Sequence, residues 1–216
     1  MSKDFKGNIQ LDNFETAYIG LDYKKIRVGI IGGGKAGLLK AKRFILNKSY
    51  VEILSRDFLE DFEILKNDTT ILVIGEYDKS FIYDKHLIII AIDDKNLTEK
   101  IRNDCNQIFK IFIDCSDVKS GVSKLPYQDK TDNFSFAVST KNANPKMSIL
   151  LGEKINGVLK EYDKFEEYTY EIRGLVKGRI DSKTILSFIN TDEFKEIWKK
   201  NKANLTLKLF FDDLEV

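Results

Sequence analysis

Histidine is nearly absent: the 216 residues contain one, His86. A zinc centre built on several histidines is thereby excluded, as is an iron site of two histidines and a carboxylate. Cysteine is almost as scarce, and the two present, Cys105 and Cys115, have no metal-binding spacing. They read as reduced thiols of a cytoplasmic protein. No apolar run approaches the roughly 18 residues that a membrane span needs. Met1 to Gly7 holds no apolar stretch of secretory type, so neither a leader nor membrane contact is expected. An excess of one charge is missing too: 35 Lys and Arg stand against 34 Asp and Glu. That balance excludes a strongly basic nucleic-acid binder as a description of the whole chain. There is no internal repeat and no low-complexity segment. What remains is a globular composition, 43% hydrophobic and 32% charged, with material for a real core and a length suited to one or two domains.

The pattern becomes regular from Ile26. Ile26 to Ile31 is a short β-branched run that reads as a buried strand. It enters Gly32-Gly33-Gly34-Lys35-Ala36-Gly37, and a helix follows from Leu38 to Asn47 with Leu38, Leu39, Ala41, Phe44 and Ile45 on one face. Further strands are expected at Val51–Leu54, Thr70–Ile74, Leu87–Ile92, Phe109–Ile113 and Phe134–Ser139, with a helix over Asp94–Gln107. A shorter β-like run at Thr16–Leu21 precedes them. Strands alternating with helices predict an α/β fold around a parallel sheet, and the unbroken apolar fourth strand belongs at its centre.

The character changes at Asn144-Pro145, where a helix can begin with proline in its first turn. The chain is then helix-rich and charged to about Trp198, and the acids and aromatics of Glu161–Glu171 read as a solvated helix with an aromatic core stripe. Ser182-Lys183-Thr184 and Asn190-Thr191-Asp192-Glu193 resemble the starts of two short helices. The tail Leu205–Phe211 suits a strand or a helix. These shifts suggest a first domain at 1–140, with 1–17 as an extension, and a helical region at 141–216.

Gly32-x-Gly34-x-x-Gly37 fits the dinucleotide fingerprint, and a strand before it and a helix after it supply the required context. Gly32 permits the tight turn, Gly34 lets backbone approach a pyrophosphate, and Gly37 allows close packing of helix on strand. The helix N-terminus then favours the anion. The expected fold is thus a Rossmann-type sheet, and the cofactor NAD, with NADP as the alternative. Lys35 and Ala36 lie inside the loop, and Lys35 adds positive charge there. The second strand ends Leu54-Ser55-Arg56-Asp57, so Arg56 could accept a ribose 2′-phosphate or Asp57 a 2′-hydroxyl; both stay open.

These residues resemble a known family. Tyr18-Ile19-Gly20-Leu21-Asp22 followed by Arg27 to Ala41 is similar to the opening of the precorrin-2 dehydrogenase and sirohydrochlorin ferrochelatase family, the N-terminal module of siroheme synthase. Gly75-Glu76-Tyr77-Asp78, then Leu87 to Leu97, resembles its third and fourth strands and an Asp-Asp turn at Asp93-Asp94. Phe136 to Thr140, then Asn144-Pro145, is similar to its sixth strand and next helix start. The resemblance implies NAD-dependent oxidation of precorrin-2 to sirohydrochlorin in a homodimer, with Fe2+ insertion in many members. It adds Ala91 and Asp93 to the expected cofactor contacts. It also implies an aspartate after strand five in both chemistries: Asp114 matches by strand position and Asp117 by spacing to the Val138 block.

Two-electron oxidation of a macrocycle needs a hydride acceptor and a base for the accompanying proton. An aspartate at a strand's carboxyl end is well placed, because ligands of open α/β sheets bind there. Lys119, Lys124, Lys141 and Lys146, with Thr140, gather in sequence near the expected cleft, and the family substrate carries eight carboxylates. No resident metal site is expected. His86 precedes strand four, at the far end of the sheet, and reads as a surface residue. Where the family has Ser-Gly-Gly-Thr-Ser-Pro, this chain has Thr140 to Pro145 as Thr-Lys-Asn-Ala-Asn-Pro. That change supports the alternative of a dinucleotide-binding regulatory or partner module without catalysis.

Overall fold

The structure, a computed structural model, describes residues 16–117, 119–142, 144–211 and 214; most of the expected extension at 1–17 lies outside them. Arg27–Ile31 (β1), Tyr50–Ser55 (β2), Thr70–Ile74 (β3), Leu87–Ile90 (β4) and Ile111–Asp114 (β5) form one sheet in the order β3-β2-β1-β4-β5. Every pairing in it is parallel. Parallel sheets need cover on both faces, and β4 shows it: all four of its residues are buried. Leu87 and Ile89 face a core with Val28, Ile30, Ile53 and Phe62, to which Lys35–Leu46 (α1) adds Leu38, Ala41 and Phe44. Ile88 and Ile90 face the other core with Ile31 and Phe112, to which Lys95–Gln107 (α2) adds Ile101 and Cys105. The alternation follows from the two-residue period of a strand.

Local differences from the sequence reading have simple causes. Leu39 is 68% exposed, since one helical step turns it about 100° away from Leu38. Phe109 adopts φ 56° and is 94% exposed, so it belongs to the turn after α2, and β5 starts at Ile111. Residues 16–21 form no strand; they lead to a 3-10 turn at Tyr23–Lys25 that Asp22 caps.

The chain divides into two compact units, Met1–Leu125 and Pro126–Val216, so the boundary falls before the expected 140/141. The reason lies in the expected sixth strand. Ser135–Val138 (β7) pairs antiparallel with Tyr127–Lys130 (β6) in its own two-stranded sheet. Its burial alternates between exposed and half-buried residues, which suits a hairpin with one wet face and not a strand inside a parallel sheet. The hairpin packs on Pro145–Lys160 (α3). Contact there is close enough to require Gly152, where a Cβ would stand 2.0 Å from Tyr127 Cε1.

α3 begins as its sequence suggests: Asn144 Oδ1 accepts from the Met147 amide at 3.2 Å, and Pro145 sits in the first turn. Asp163–Leu175 (α4), Ser182–Ile189 (α5), Asp192–Lys199 (α6) and Ala203–Phe210 (α7) follow, so the tail is a helix. They bury Phe165, Ile172, Ile185, Phe194 and Leu207 together, with the Phe165 and Trp198 rings 5.4 Å apart. Phe165 is therefore core with Tyr162 and Tyr168 half-buried against it, as read, whereas Tyr170 is 69% exposed. Asp163, also buried, accepts from Thr131 Oγ1 at 2.6 Å and from the Asn133 amide at 3.0 Å, which ties the hairpin turn to α4. Among the described residues no helix is long and apolar enough to cross a membrane.

Candidate functional site

Strand register assembles the site. Ile31 lies beside Leu54 and Ile90, Ser55 beside Ile74, and Ile90 beside Asp114. All five strands therefore end at one edge of the first unit, and the loops that leave it carry most of the residues singled out in the sequence. Ligands of open parallel sheets bind outside that edge.

The glycine loop shows which glycines the protein needs for itself. Gly32 has φ 124°, and a Cβ on it would lie 2.1 Å from the Ala91 carbonyl oxygen. On Gly33 a Cβ would stand 2.2 Å from the Asp57 carbonyl oxygen, and on Gly37 2.0 Å from that of Gly32. Around Gly34 nothing lies within 4 Å, and its backbone is ordinary extended chain at φ −87° and ψ −173°. The fold thus does not need a glycine at 34; the space it leaves faces outward. Gly34 precedes α1 without any side-chain cap, and first-turn amides have no acceptor inside their own helix. Lys35 and Ala36 are exposed there and Gly37 is buried. An uncapped helix start behind an open approach is a fit for a pyrophosphate. Gly33 occupied a free position of the motif, yet it is one of the most crowded; the loop at 56–59, whose Leu59 amide donates to the Gly33 carbonyl at 3.1 Å, has no sequence signature of that contact.

The neighbouring loops complete the edge. Ala91 is half-buried and forms a wall of the glycine turn through its backbone; Asp93 is exposed. Asp94 instead caps α2, accepting from the Leu97 amide at 3.0 Å. Arg56 and Asp57 are exposed at the end of β2. Arg56 Nη2 lies 3.3 Å from Glu76 Oε1 on the loop after β3. A groove of about 560 Å³ runs along β3, lined by Arg56, Asp57, Phe58, Lys66, Leu72 and Ile74 among others.

The two aspartates after β5 differ sharply. Asp114 is fully buried. One carboxylate oxygen accepts from the Ser116 amide at 2.7 Å, Ser116 Oγ at 2.6 Å and the Asp117 amide at 3.1 Å. The other is held by the Arg102 guanidinium of α2, with Nε at 2.6 Å. Burial pushes this carboxyl up, but the Ser116 and Asp117 hydrogen bonds and Arg102 together win and hold it below the usual carboxylate range. Asp117 is exposed. It accepts from Ser120 Oγ at 2.5 Å and the Lys119 amide at 3.0 Å, and these bonds keep it charged below its ordinary value. Asp114 is thus the anchor of the loop and Asp117 the carboxylate that it presents. Arg102, 12 positions before Asp114, escaped the sequence reading because a helix residue's distant partner leaves no spacing signal.

Lys119 is exposed and Lys124 half-exposed in the same unit, whereas Thr140 and Lys141 belong to the second. Thr140 Oγ1 accepts from the Asn144 amide at 2.6 Å and so helps to shape the start of α3. His86 is exposed at the opposite edge, and its Nδ1 accepts from the Arg27 amide at 2.9 Å. Burial pushes the Cys105 thiol up to about 12, which makes it unreactive. Among the described residues no group of three or more His, Cys, Asp or Glu is placed to hold a metal ion.

Comparison with known proteins points the same way. Residues 19–123 match a family described as "Putative NAD(P)-binding". The chain is 24% identical over 178 residues to the siroheme synthase of Enterobacter sp. (strain 638), covering 81% of this chain and 37% of that protein. It is 25% identical over 193 residues to the "Putative precorrin-2 dehydrogenase" of Methanocaldococcus jannaschii, covering 83% and 93%. It spans about a third of the siroheme synthases it matches and nearly all of the archaeal relative. Among solved structures, the precorrin-2 dehydrogenase SirC superposes with a TM-score of 0.67 at 18% identity, over 90% of this chain and 100% of that one; the fold is shared.

Proposed function

We propose that this chain belongs to the siroheme synthase and precorrin-2 dehydrogenase family, to members of which it is similar, and oxidises precorrin-2 to sirohydrochlorin with NAD or NADP. The observation that carries the reading is the glycine edge: three glycines are required by packing, while the fourth leaves a space the protein does not fill. Gly34 and the first-turn amides of Lys35, Ala36 and Gly37 bind the pyrophosphate, and Arg56, Asp57, Ala91 and Asp93 line the rest of the dinucleotide path.

Aromatisation removes a hydride and a proton from the substrate. A dinucleotide held by the glycine loop would supply the hydride acceptor. Asp117 takes the proton, since it is charged, exposed and fixed by the Asp114 anchor at the carboxyl edge of β5. An exposed carboxylate can reach a substrate, whereas the Asp114 oxygens are filled by four donor groups. Lys119 and Lys124, on the same loop, meet substrate carboxylates. The same reading makes the protein cytoplasmic and a homodimer; sedimentation of the purified chain tests the dimer.

The deciding experiment follows the absorbance of precorrin-2 with purified protein and NAD+ or NADP+. Conversion to sirohydrochlorin is expected. Dinucleotide binding without any conversion would overturn the dehydrogenase reading and leave a binding module. A second arm adds Fe2+ to sirohydrochlorin and reads sirohaem, which reports ferrous insertion separately.

A further inference from the structure

In this fold the adenosine ribose is ordinarily read at the end of the second strand, by a carboxylate for a free 2′-hydroxyl or by an arginine for a 2′-phosphate. β2 itself offers no carboxylate for that purpose, and the acid beyond its end is the exposed Asp57. The strand's one acid, Glu52, is bound at 2.9 Å to Lys85 Nζ, a lysine only 3% exposed. Its last residue is Ser55, half-buried against Gly33. Arg56 comes next, and it is not alone: Glu76, on the loop after β3, holds it at 3.3 Å. The two side chains are 69% and 80% exposed, so their pairing contributes little to stability. Their place is informative instead. Ser55 and Ile74 are partners in the register, so Arg56 and Glu76 flank one point of the carboxyl edge. The Asp57 carbonyl beside them underlies Gly33 of the phosphate loop.

We propose that Glu76 is a specificity residue that selects a dinucleotide with a free 2′-hydroxyl over one with a 2′-phosphate. The proposal rests on the dinucleotide reading above and extends it to the choice between the two cofactors. Two effects act in the same direction. Arg56 is shared with Glu76, so its charge is only partly available to a phosphate. A 2′-phosphate would have to take Arg56 from Glu76 and then remain within a few ångströms of the displaced carboxylate. A ribose hydroxyl meets no such repulsion. At about 6 Å in a water-like dielectric, one unit charge facing a dianion corresponds to about a tenfold loss of affinity.

Calorimetric titration of the purified protein with NAD+ and with NADP+, at one ionic strength and without substrate, tests this. The wild type is expected to bind NAD+ about tenfold tighter or more. Glu76→Gln keeps the shape and removes the charge; NADP+ should then tighten about tenfold while NAD+ changes less than about threefold. Adding Arg56→Ala to that variant should reduce the NADP+ gain, because the guanidinium freed from Glu76 no longer attracts the phosphate. A wild type that prefers NADP+, a Glu76→Gln variant whose preference stays within about twofold of wild type, or a gain that Arg56→Ala leaves undiminished overturns the proposal while the dinucleotide reading stands. A wild type that binds neither dinucleotide overturns that reading, and this proposal with it.

Discussion

Single residues at the carboxyl edge separate what the fold needs from what a ligand needs. Gly34 precedes α1 in an extended conformation with nothing within 4 Å of a Cβ, and aspartate is a favoured residue at that capping position. Gly34→Asp should therefore leave the melting temperature unchanged or raise it slightly. The same carboxylate would repel the pyrophosphate, so NAD+ and NADP+ affinity should fall on the order of a hundredfold or more by calorimetry. Wild-type affinity in that variant would remove the loop from the cofactor site. Asp117→Asn makes the complementary test on the substrate side. An amide cannot take a proton, so turnover of precorrin-2 should drop about a hundred- to ten-thousandfold with dinucleotide affinity and melting temperature preserved. Turnover at the wild-type rate would place the base elsewhere.

Between elements, α2 and β5 are joined by a buried charge. Arg102 bonds to Asp114, whose side chain is 0% exposed. Arg102→Ala leaves that carboxylate without its cation and should cost about 3 kcal/mol, a fall of roughly 6–12 °C in melting temperature for a chain of this size. Asp114 is held below its ordinary value in the native state, so its contribution is present above the unfolded carboxylate range, about pH 4, and disappears as pH falls through the lowered native value. The stability gap between wild type and Arg102→Ala should accordingly narrow below about pH 4 in denaturant titrations; a gap constant from pH 7 to pH 3 would show that the pair is not the cause. Elements were readable where one face or both were uniformly apolar. β4, with four buried residues in a row, and α1, after its strand and glycine turn, could be placed from the local pattern, although α1 begins at Lys35 and not at Leu38. β7 could not, because Phe136 and Val138 look the same in sequence whether their strand joins a parallel sheet or a hairpin; only β6 at Tyr127–Lys130 decides it. Asp114 and Asp117 were both visible as candidates, but which is buried depends on Arg102, and no local pattern records that partner.

At the scale of the molecule, the break at Leu125–Pro126 assigns the whole glycine edge, Arg56, Glu76, Arg102 and both aspartates to the first unit. That unit has two apolar cores of its own, one on each face of its sheet. Residues 1–125 expressed alone should fold and bind NAD+ within about tenfold of the full chain; loss of binding with native circular dichroism would show that the second unit completes the site. The spaces at the glycines also determine how this protein would look to selection. In a library screened only for soluble expression, position 34 should accept nearly every residue, while 32, 33 and 37, where a Cβ would lie 2.0–2.2 Å from a carbonyl oxygen, should return glycine. Screened for sirohydrochlorin formation, the same library should turn position 34 as restrictive as its neighbours, so the difference between the two screens would map the ligand without any ligand being bound.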